Sequence, residues 1–538
     1  MSRQPDPIAE GLARGWHVHG GPHRPLPSEH ACDVVIIGSG AGAGITAELL
    51  SAAGLDVLIV EEGPLKSSRD FRQLEAEAYP ALYQESAGRK TADKAINIMQ
   101  GRCVGGSTTV NWTSSFRTPP ETLAFWQQHY GLKDFGSDEM APWFAQAEQR
   151  LAVARWEVQP NVNNDLLRQG AQKLGIAIEA IPRNVKACWN IGSCGLGCPT
   201  NAKQSMLVTT LPTALDRGAR LWVHTRAERL ELVQGQVRAL HCQPVTLNGE
   251  PAGPAVRVRA RHYVLAAGAI NGPGVLLRSG APDPHERLGR RTFLHPVVMS
   301  AAVFSQRVEG WTGAPQSLYS DHFLHQHPID GPLGYKLEAP PLHPVIFAST
   351  LTGFGAEQAK ALALFPHTHV LLALLRDGFH PESIGGRVTL RDDGSPVLDY
   401  PLNDVVMEGA RRALASMAEI QFAAGAQQVL PVHETASWYR QWPQAQAGIQ
   451  ALPMKPLLAR VVSAHVMGGC AMTGSAHQGV VRPDGRHWQI GNLSVHDGSL
   501  FPTSIGANPQ LSIYGLVTRL ATQLAQDLAG RAVRLLSA

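Results

Sequence analysis

Asp33-Val34-Val35-Ile36-Ile37-Gly38-Ser39-Gly40-Ala41-Gly42-Ala43-Gly44, continuing to Val57-Leu58-Ile59-Val60-Glu61-Glu62-Gly63, is the stretch whose reading decides the fold. The first five residues form a short apolar run rich in β-branched side chains, as a strand buried on both faces requires. A helical pattern with Ile45, Leu49 and Leu50 on one face follows the glycines, and Val57 to Val60 is a second strand. In such a βαβ unit Gly38 permits the tight turn, Gly40 lets the backbone approach a pyrophosphate, and Ala43 keeps the helix close to the strand. The exposed N–H groups around Ala41 and Gly42, with the helix dipole, favour an anion at the helix start. Glu61 stands about 20 residues beyond Gly38, where a carboxylate meets a ribose hydroxyl, and Glu62 adjoins it. A dinucleotide is therefore the expected ligand of this segment.

Outward from this unit, the 538 residues are too many for one compact domain. A hydrophobic fraction of 44% with 17% charged residues belongs to a globular protein. A net charge of +3 gives no basic surface of the kind nucleic acid binds. No apolar run reaches the roughly 18 residues of a membrane span, and no secretory leader is visible. Seven cysteines make no disulfide framework in a chain of this length, so the cytoplasm is the expected compartment. Residues 1–30 are rich in Gly, Pro and His and read as a surface arm. Their His17, His19 and His23 lack the partners of a metal site.

Three later segments bear chemistry. Gly101-Arg102-Cys103-Val104-Gly105-Gly106-Ser107-Thr108-Thr109-Val110-Asn111-Trp112 contains a glycine loop whose backbone can approach a flat or anionic ligand. Cys188, Cys194 and Cys198 lie in a Gly-rich loop, as thiolate ligands of an iron–sulfur cluster would, or as reduced thiols of a structural turn. Near the C-terminus, Ser463-Ala464-His465 and Val495-His496-Asp497-Gly498 precede Ser504-Ile505-Gly506-Ala507-Asn508-Pro509-Gln510. An amphipathic helix follows, with Ile513, Leu516, Val517, Leu520, Leu524 and Leu528 on one face. Asn508 suits its cap and Pro509 its first turn.

With these motifs the chain resembles the glucose–methanol–choline (GMC) flavin oxidoreductases over roughly residues 32–530. Their first signature has the Gly-Arg-x-x-Gly-Gly-Ser-x-x-x-Asn form and passes along the isoalloxazine. Some members attach FAD to a histidine just before that Asn. Val110 stands there in this chain, so the resemblance implies non-covalent FAD. It places Arg102, Gly105, Gly106, Ser107, Asn111, Trp112, Ala267, Gly268, Asp497, Gly498, Pro509 and Gln510 beside the cofactor. His465 falls on the family's catalytic histidine, and Asn508 on a second catalytic position that is Asn in cholesterol oxidases and long-chain alcohol oxidases. The family's Asp-His-Pro is represented by Leu294-His295-Pro296, in which the acid is missing. A cholesterol-oxidase-like glutamate cannot be placed from the sequence.

The implied fold is α/β, a doubly wound FAD-binding domain with an inserted α+β substrate domain built on an antiparallel sheet. Residues 31–120, 200–290 and 455–538 are assigned to the former. Residues 121–199 and 291–454 are assigned to the substrate domain and a helical cover. The recurring strand patterns at 296–304, 368–375 and 387–390 suggest the antiparallel sheet. The implied activity is oxidation of a small-molecule alcohol to aldehyde or ketone, with hydride transfer to flavin N5 and oxygen, a quinone or a cytochrome as acceptor. His465 would take the hydroxyl proton and Asn508 would hydrogen-bond the substrate oxygen. Three alternatives stay open: an electron-transfer dehydrogenase subunit with a cluster at the three cysteines, a non-redox relative such as a hydroxynitrile lyase, and a nicotinamide-binding protein. The last leaves the Gly105–Asn111 and His465–Asn508 motifs without a role.

Overall fold

The strands form two large sheets, one mainly parallel and one mainly antiparallel. A computed structural model describes residues 5–351 and 353–537. In the first sheet the order is His17–His19, Arg220–Trp222, Val57–Val60, Glu29–Ile37, Val256–Leu265, Gln236–Pro244 and Thr225–Val233, with Leu493–Val495 also pairing to Val256–Leu265. The pairings among the first five, and that of Leu493–Val495, are parallel, while the last two strands extend the sheet as an antiparallel hairpin. Val34 to Ile36 and Val57 to Ile59 have no exposed surface, as expected of central parallel strands. The helices Ala41–Ala52 and Gln510–Ala529 pack on each other beside this sheet.

The second large sheet runs Ile96–Ile98, Val461–Ser463, Val297–Val303, Thr368–Leu375, Tyr335–Glu338, Leu318–Ser320 and Glu179–Ala180, and Gln428–Pro431 also joins Val297–Val303. Its pairings are antiparallel except that of Ile96–Ile98 with Val461–Ser463. The helix Asp404–Ala424 lies across it and buries Met407, Leu414, Met417 and Ile420. Asn403 caps that helix by accepting from Val406 N, and Gly425 ends it in the left-handed conformation.

A small antiparallel sheet bridges the two, in the order Pro396–Asp399, Gly386–Leu390, Arg290–Phe293 and Met467–Gly468. Its register pairs Phe293 with Met467. Continued by two residues along each antiparallel strand, that register brings His295 opposite His465.

Three readings of the sequence differ from the structure. The stretch 1–30 is not a loose arm: the helix Pro7–Ala13 is capped by Asp6, His17–His19 is an edge strand of the first sheet, and Ile8, Trp16 and Val18 are buried. Trp16 Nε1 donates to Asp216 Oδ1 at 2.7 Å, which anchors the segment. The helix after Pro509 is not capped by the Asn508 side chain, which points elsewhere. Strands Ile96–Ile98 and Val461–Ser463 lie in the second sheet, although both fall within segments assigned above to the FAD-binding domain. Among the described residues no helix is long and apolar enough to cross a membrane.

Candidate active site

Gly38 leaves its strand with φ +102°, and a Cβ there would lie 2.4 Å from Ala266 O, so only glycine makes this turn. The helix that follows begins at Gly40 without any side-chain cap, which leaves its first N–H groups for a ligand. Gly106 faces it: a Cβ on Gly106, at φ +54°, would stand 2.8 Å from Gly40 Cα. Ser39 ties the pieces together. Its hydroxyl donates to Glu61 Oε2 at 2.5 Å and accepts from Gly105 N at 3.0 Å. Glu61 Oε1 accepts from Gly63 N at 2.8 Å, and burial raises the carboxyl's pKa above its usual range.

The Gly101–Trp112 segment is pinned from beneath by Lys203. This buried ammonium donates to Thr109 O at 2.8 Å, Asn111 O at 2.6 Å and Cys194 O at 2.8 Å. Asn111 Nδ2 donates to Gln510 Oε1 at 2.6 Å, joining the segment to the start of the C-terminal helix. Arg102 pairs with Glu62 at 3.2 Å. Asp497 accepts from Gly268 N at 2.7 Å and from Ser499 N at 2.8 Å, so it fixes the end of the Val256–Leu265 strand.

One cavity of about 980 Å³ runs past most of these groups. Residues 38–41, Glu61, Glu62, Arg102, Gly106, Ser107, Asn111, Trp112, Ala267, Gly268, Asp497, Gly498, Pro509 and Gln510 border it, and so do His465 and Asn508. Gly42, Ala43 and Gly105 do not. Gly42 instead lets the helix touch the last parallel strand's exit, since a Cβ would fall 1.7 Å from His496 O, and Ala43 is core. Arg102 Nη2, Trp112 Nε1, Ser114 Oγ and Asn508 Oδ1 are buried at this cavity without a protein partner. Unpaired buried polar groups are costly, so the natural occupant is long and polar along its length. A glycine turn at a helix N-terminus, a ribose-distance carboxylate and these four atoms fit FAD.

His465 sits at the other end of the cavity. Its Nδ1 is 3.1 Å from Nδ1 of His295, and the rings are tilted by 30°. Its backbone N donates to Ser463 Oγ at 3.2 Å. Burial, with the nearby Lys336 ammonium, lowers its pKa to about 3. His295 has φ +49°, a strained conformation for a non-glycine residue. Asp377 holds it there, accepting from Leu294 N and His295 N at 3.1 Å each and from the Tyr400 hydroxyl at 2.8 Å. Asp377 reaches this backbone from just past the end of the Thr368–Leu375 strand.

Asn508 Nδ2 lies 3.4 Å from Glu338 Oε2, which also accepts from Gln316 Nε2 at 2.5 Å. Glu338 is fully buried and its pKa is raised by burial. Lys336 Nζ stands 3.9 Å from Glu338 Oε1 and 2.9 Å from the Phe116 ring centroid. Burial lowers its pKa to about 7. The sequence alone assigns no site role to Ser39, Lys203, His295, Lys336, Glu338 or Asp377. The one available signal was a lysine and a glutamate two apart in an otherwise apolar strand, Tyr335–Glu338, where alternation puts both on one face.

The three loop cysteines are reduced and separately occupied. Cys188 Sγ accepts from Asn190 N at 3.4 Å, Cys194 Sγ from Arg183 Nη2 at 3.7 Å, and Cys198 Sγ is 3.5 Å from Thr200 Oγ1. Among the described residues no three His, Cys, Asp or Glu side chains are gathered as metal ligands. His322, His325 and His327 are exposed.

Comparison with known proteins gives a consistent result. Family models described as GMC oxidoreductase match residues 79–297 and 381–516. Long-chain-alcohol oxidase FAO4A of Arabidopsis thaliana is 30% identical over 504 residues, covering 90% of this chain and 67% of that protein. An uncharacterized GMC-type oxidoreductase of Mycobacterium tuberculosis is 31% identical over 507 residues, covering 94% and 77%. Among solved structures, pyridoxine 4-oxidase from Mesorbium loti superposes with a TM-score of 0.68 at 19% identity, over 91% of this chain and 99% of that one.

Proposed function

Because this chain belongs to the GMC oxidoreductase family and is an FAD-dependent oxidoreductase, we propose that it oxidises a hydrophobic primary or secondary alcohol to the aldehyde or ketone. His465 is the base in this reading and Asn508 orients the substrate hydroxyl. The observation that carries it is that His465 and Asn508 border the same cavity as the glycine turn and the Gly106 loop. The naming of several relatives as long-chain-alcohol oxidases supports an apolar substrate and oxygen as the acceptor.

Residues 38–41, Glu61, Arg102, Gly106 and Asp497 would hold FAD, and Val110 offers it no point of covalent attachment. When bound, FAD supplies the ring that takes up the hydride. The protein's part is to make the hydroxyl a better hydride source and to keep water away. Nδ1 of His465 is engaged by His295, so Nε2 is the nitrogen open to a substrate proton. The low pKa of His465 keeps it neutral, and so able to accept, throughout the physiological range. Asn508 has an unpaired Oδ1 and an Nδ2 steadied by Glu338, which gives the hydroxyl both an acceptor and a donor. The two large sheets support a division into an FAD-holding unit and a substrate unit, in which Ile96–Ile98 and Val461–Ser463 go with the substrate unit.

The test is a screen of straight-chain alcohols of rising length, with oxygen and with an artificial acceptor. The reading predicts turnover that improves with chain length and consumes oxygen. No turnover of any alcohol with either acceptor, in protein loaded with FAD, would refute it.

A further inference from the structure

A base in the cavity needs its hydrogen on the right nitrogen, and the structure holds a second histidine against the nitrogen that matters. His295 and His465 meet through Nδ1 atoms 3.1 Å apart, a distance at which one must donate and the other accept. Both are neutral, because burial disfavours the charged form of each, helped at His295 by the neighbouring His465 and at His465 by Lys336. The charged groups facing them are Lys336 from the Tyr335–Glu338 strand and Arg376 just past Thr368–Leu375, with Asp377 clamping the backbone at His295. Two hydrogen placements are possible. If His295 donates, His465 carries its hydrogen on Nε2 and cannot take a proton from the cavity. If His465 donates, its Nε2 is bare and ready.

We propose that His295 is the positioning residue for the base: its Nδ1 accepts from Nδ1–H of His465 and so fixes the tautomer whose bare Nε2 faces the substrate. This rests on His465 being the base. In the step itself the substrate O–H bond breaks, its proton bonds to His465 Nε2, and the electron pair stays on oxygen. The imidazolium so formed keeps its Nδ1–H on the His295 lone pair, a charge-assisted bond stronger than the neutral one it replaces. The interaction is therefore worth more after proton transfer than before, which is what accelerates a step. The strained φ of His295 and the two backbone bonds to Asp377 are consistent with a ring held in place for a purpose.

The experiment compares three substitutions in FAD-loaded protein, each checked for bound FAD. Asn places an acceptor oxygen where Nδ1 stands, Gln carries its amide one bond too far, and Leu has no acceptor. Anaerobic flavin reduction should stay within a few-fold of wild type in His295→Asn, and fall about 10- to 100-fold in His295→Gln and His295→Leu. Substrate affinity should be unchanged in all three, because the lost interaction strengthens only as the proton moves. Should His295→Leu fail to fold, the contrast between Asn and Gln decides alone. Equal rates in His295→Asn and His295→Gln would overturn the proposal. His465→Ala run in parallel separates the two readings: slow His465→Ala with unaffected His295 variants removes only the positioning role, whereas fast His465→Ala removes the base itself.

Discussion

Lys203→Met is the substitution whose cost can be worked most directly from the structure. It leaves Thr109 O, Asn111 O and Cys194 O without the donor they share. Three charge-assisted bonds at about 1.5–3 kcal/mol each set the gross loss. Against this stands the cost of burying the ammonium. Burial brings its pKa from 10.5 to about 8, which corresponds to about 3 kcal/mol at 1.36 kcal/mol per unit. The net loss is therefore about 1–6 kcal/mol, concentrated in the loop that faces the cofactor. Denaturant unfolding of the FAD-free protein, with FAD titration by fluorescence, reads both consequences: a lower midpoint and a weaker FAD affinity. The sign of the pH effect is also set. Lys203 in the folded state releases its proton near pH 8 and in the unfolded chain near 10.5, so the folding cost of the charge is full below pH 8 and fades above it. Wild type should accordingly gain on Lys203→Met as pH rises from about 8 to 10.5. An unchanged midpoint and FAD affinity in Lys203→Met, or a wild-type advantage that shrinks over that pH window, would refute the assignment of Lys203 as the loop's anchor.

Two further outcomes concern the cofactor. Glu61→Ala should weaken FAD binding by about 1–3 kcal/mol, because the ribose loses its acceptor while the Ser39 hydroxyl and Gly63 N–H lose theirs; an unaltered dissociation constant would take Glu61 out of the site. Acid or heat precipitation should release intact FAD into the supernatant, since Val110 cannot bond to it; colour that stays with the pellet would show a covalent link.

What could be read from the chain was local. The 33–63 unit, the 101–112 loop and the C-terminal helix each announce themselves within a few turns of sequence. Their glycines, apolar runs and turn residues act on near neighbours. The pairs that build the reacting end are joined across long stretches of chain. His295 and His465 are brought together by the register of a four-stranded sheet, and Asp377 reaches the same spot from another strand. Glu338 meets Asn508 only after the antiparallel sheet has formed. No local pattern encodes such contacts. The edge strand His17–His19 escaped notice because three residues among Gly, Pro and His carry no periodicity, and what orders them is burial of Trp16 and Val18. In the sequence Asn508 has the look of a cap because its neighbours suit a helix start. The buried carboxylate that claims its side chain lies elsewhere in the sequence.

Anaerobic flavin reduction in His465→Ala measures most directly whether His465 takes the substrate proton. A positioned base contributes about 10²–10⁴-fold. The variant should therefore reduce its flavin more slowly by about that factor with FAD fully bound, and His465→Asn should match it. Wild-type reduction should rise with pH through a single ionisation on the acid side, where burial and Lys336 place the imidazole, and both variants should lose that rise. Near-normal reduction in His465→Ala, with the wild-type pH dependence intact, would contradict the account and place the base on another group.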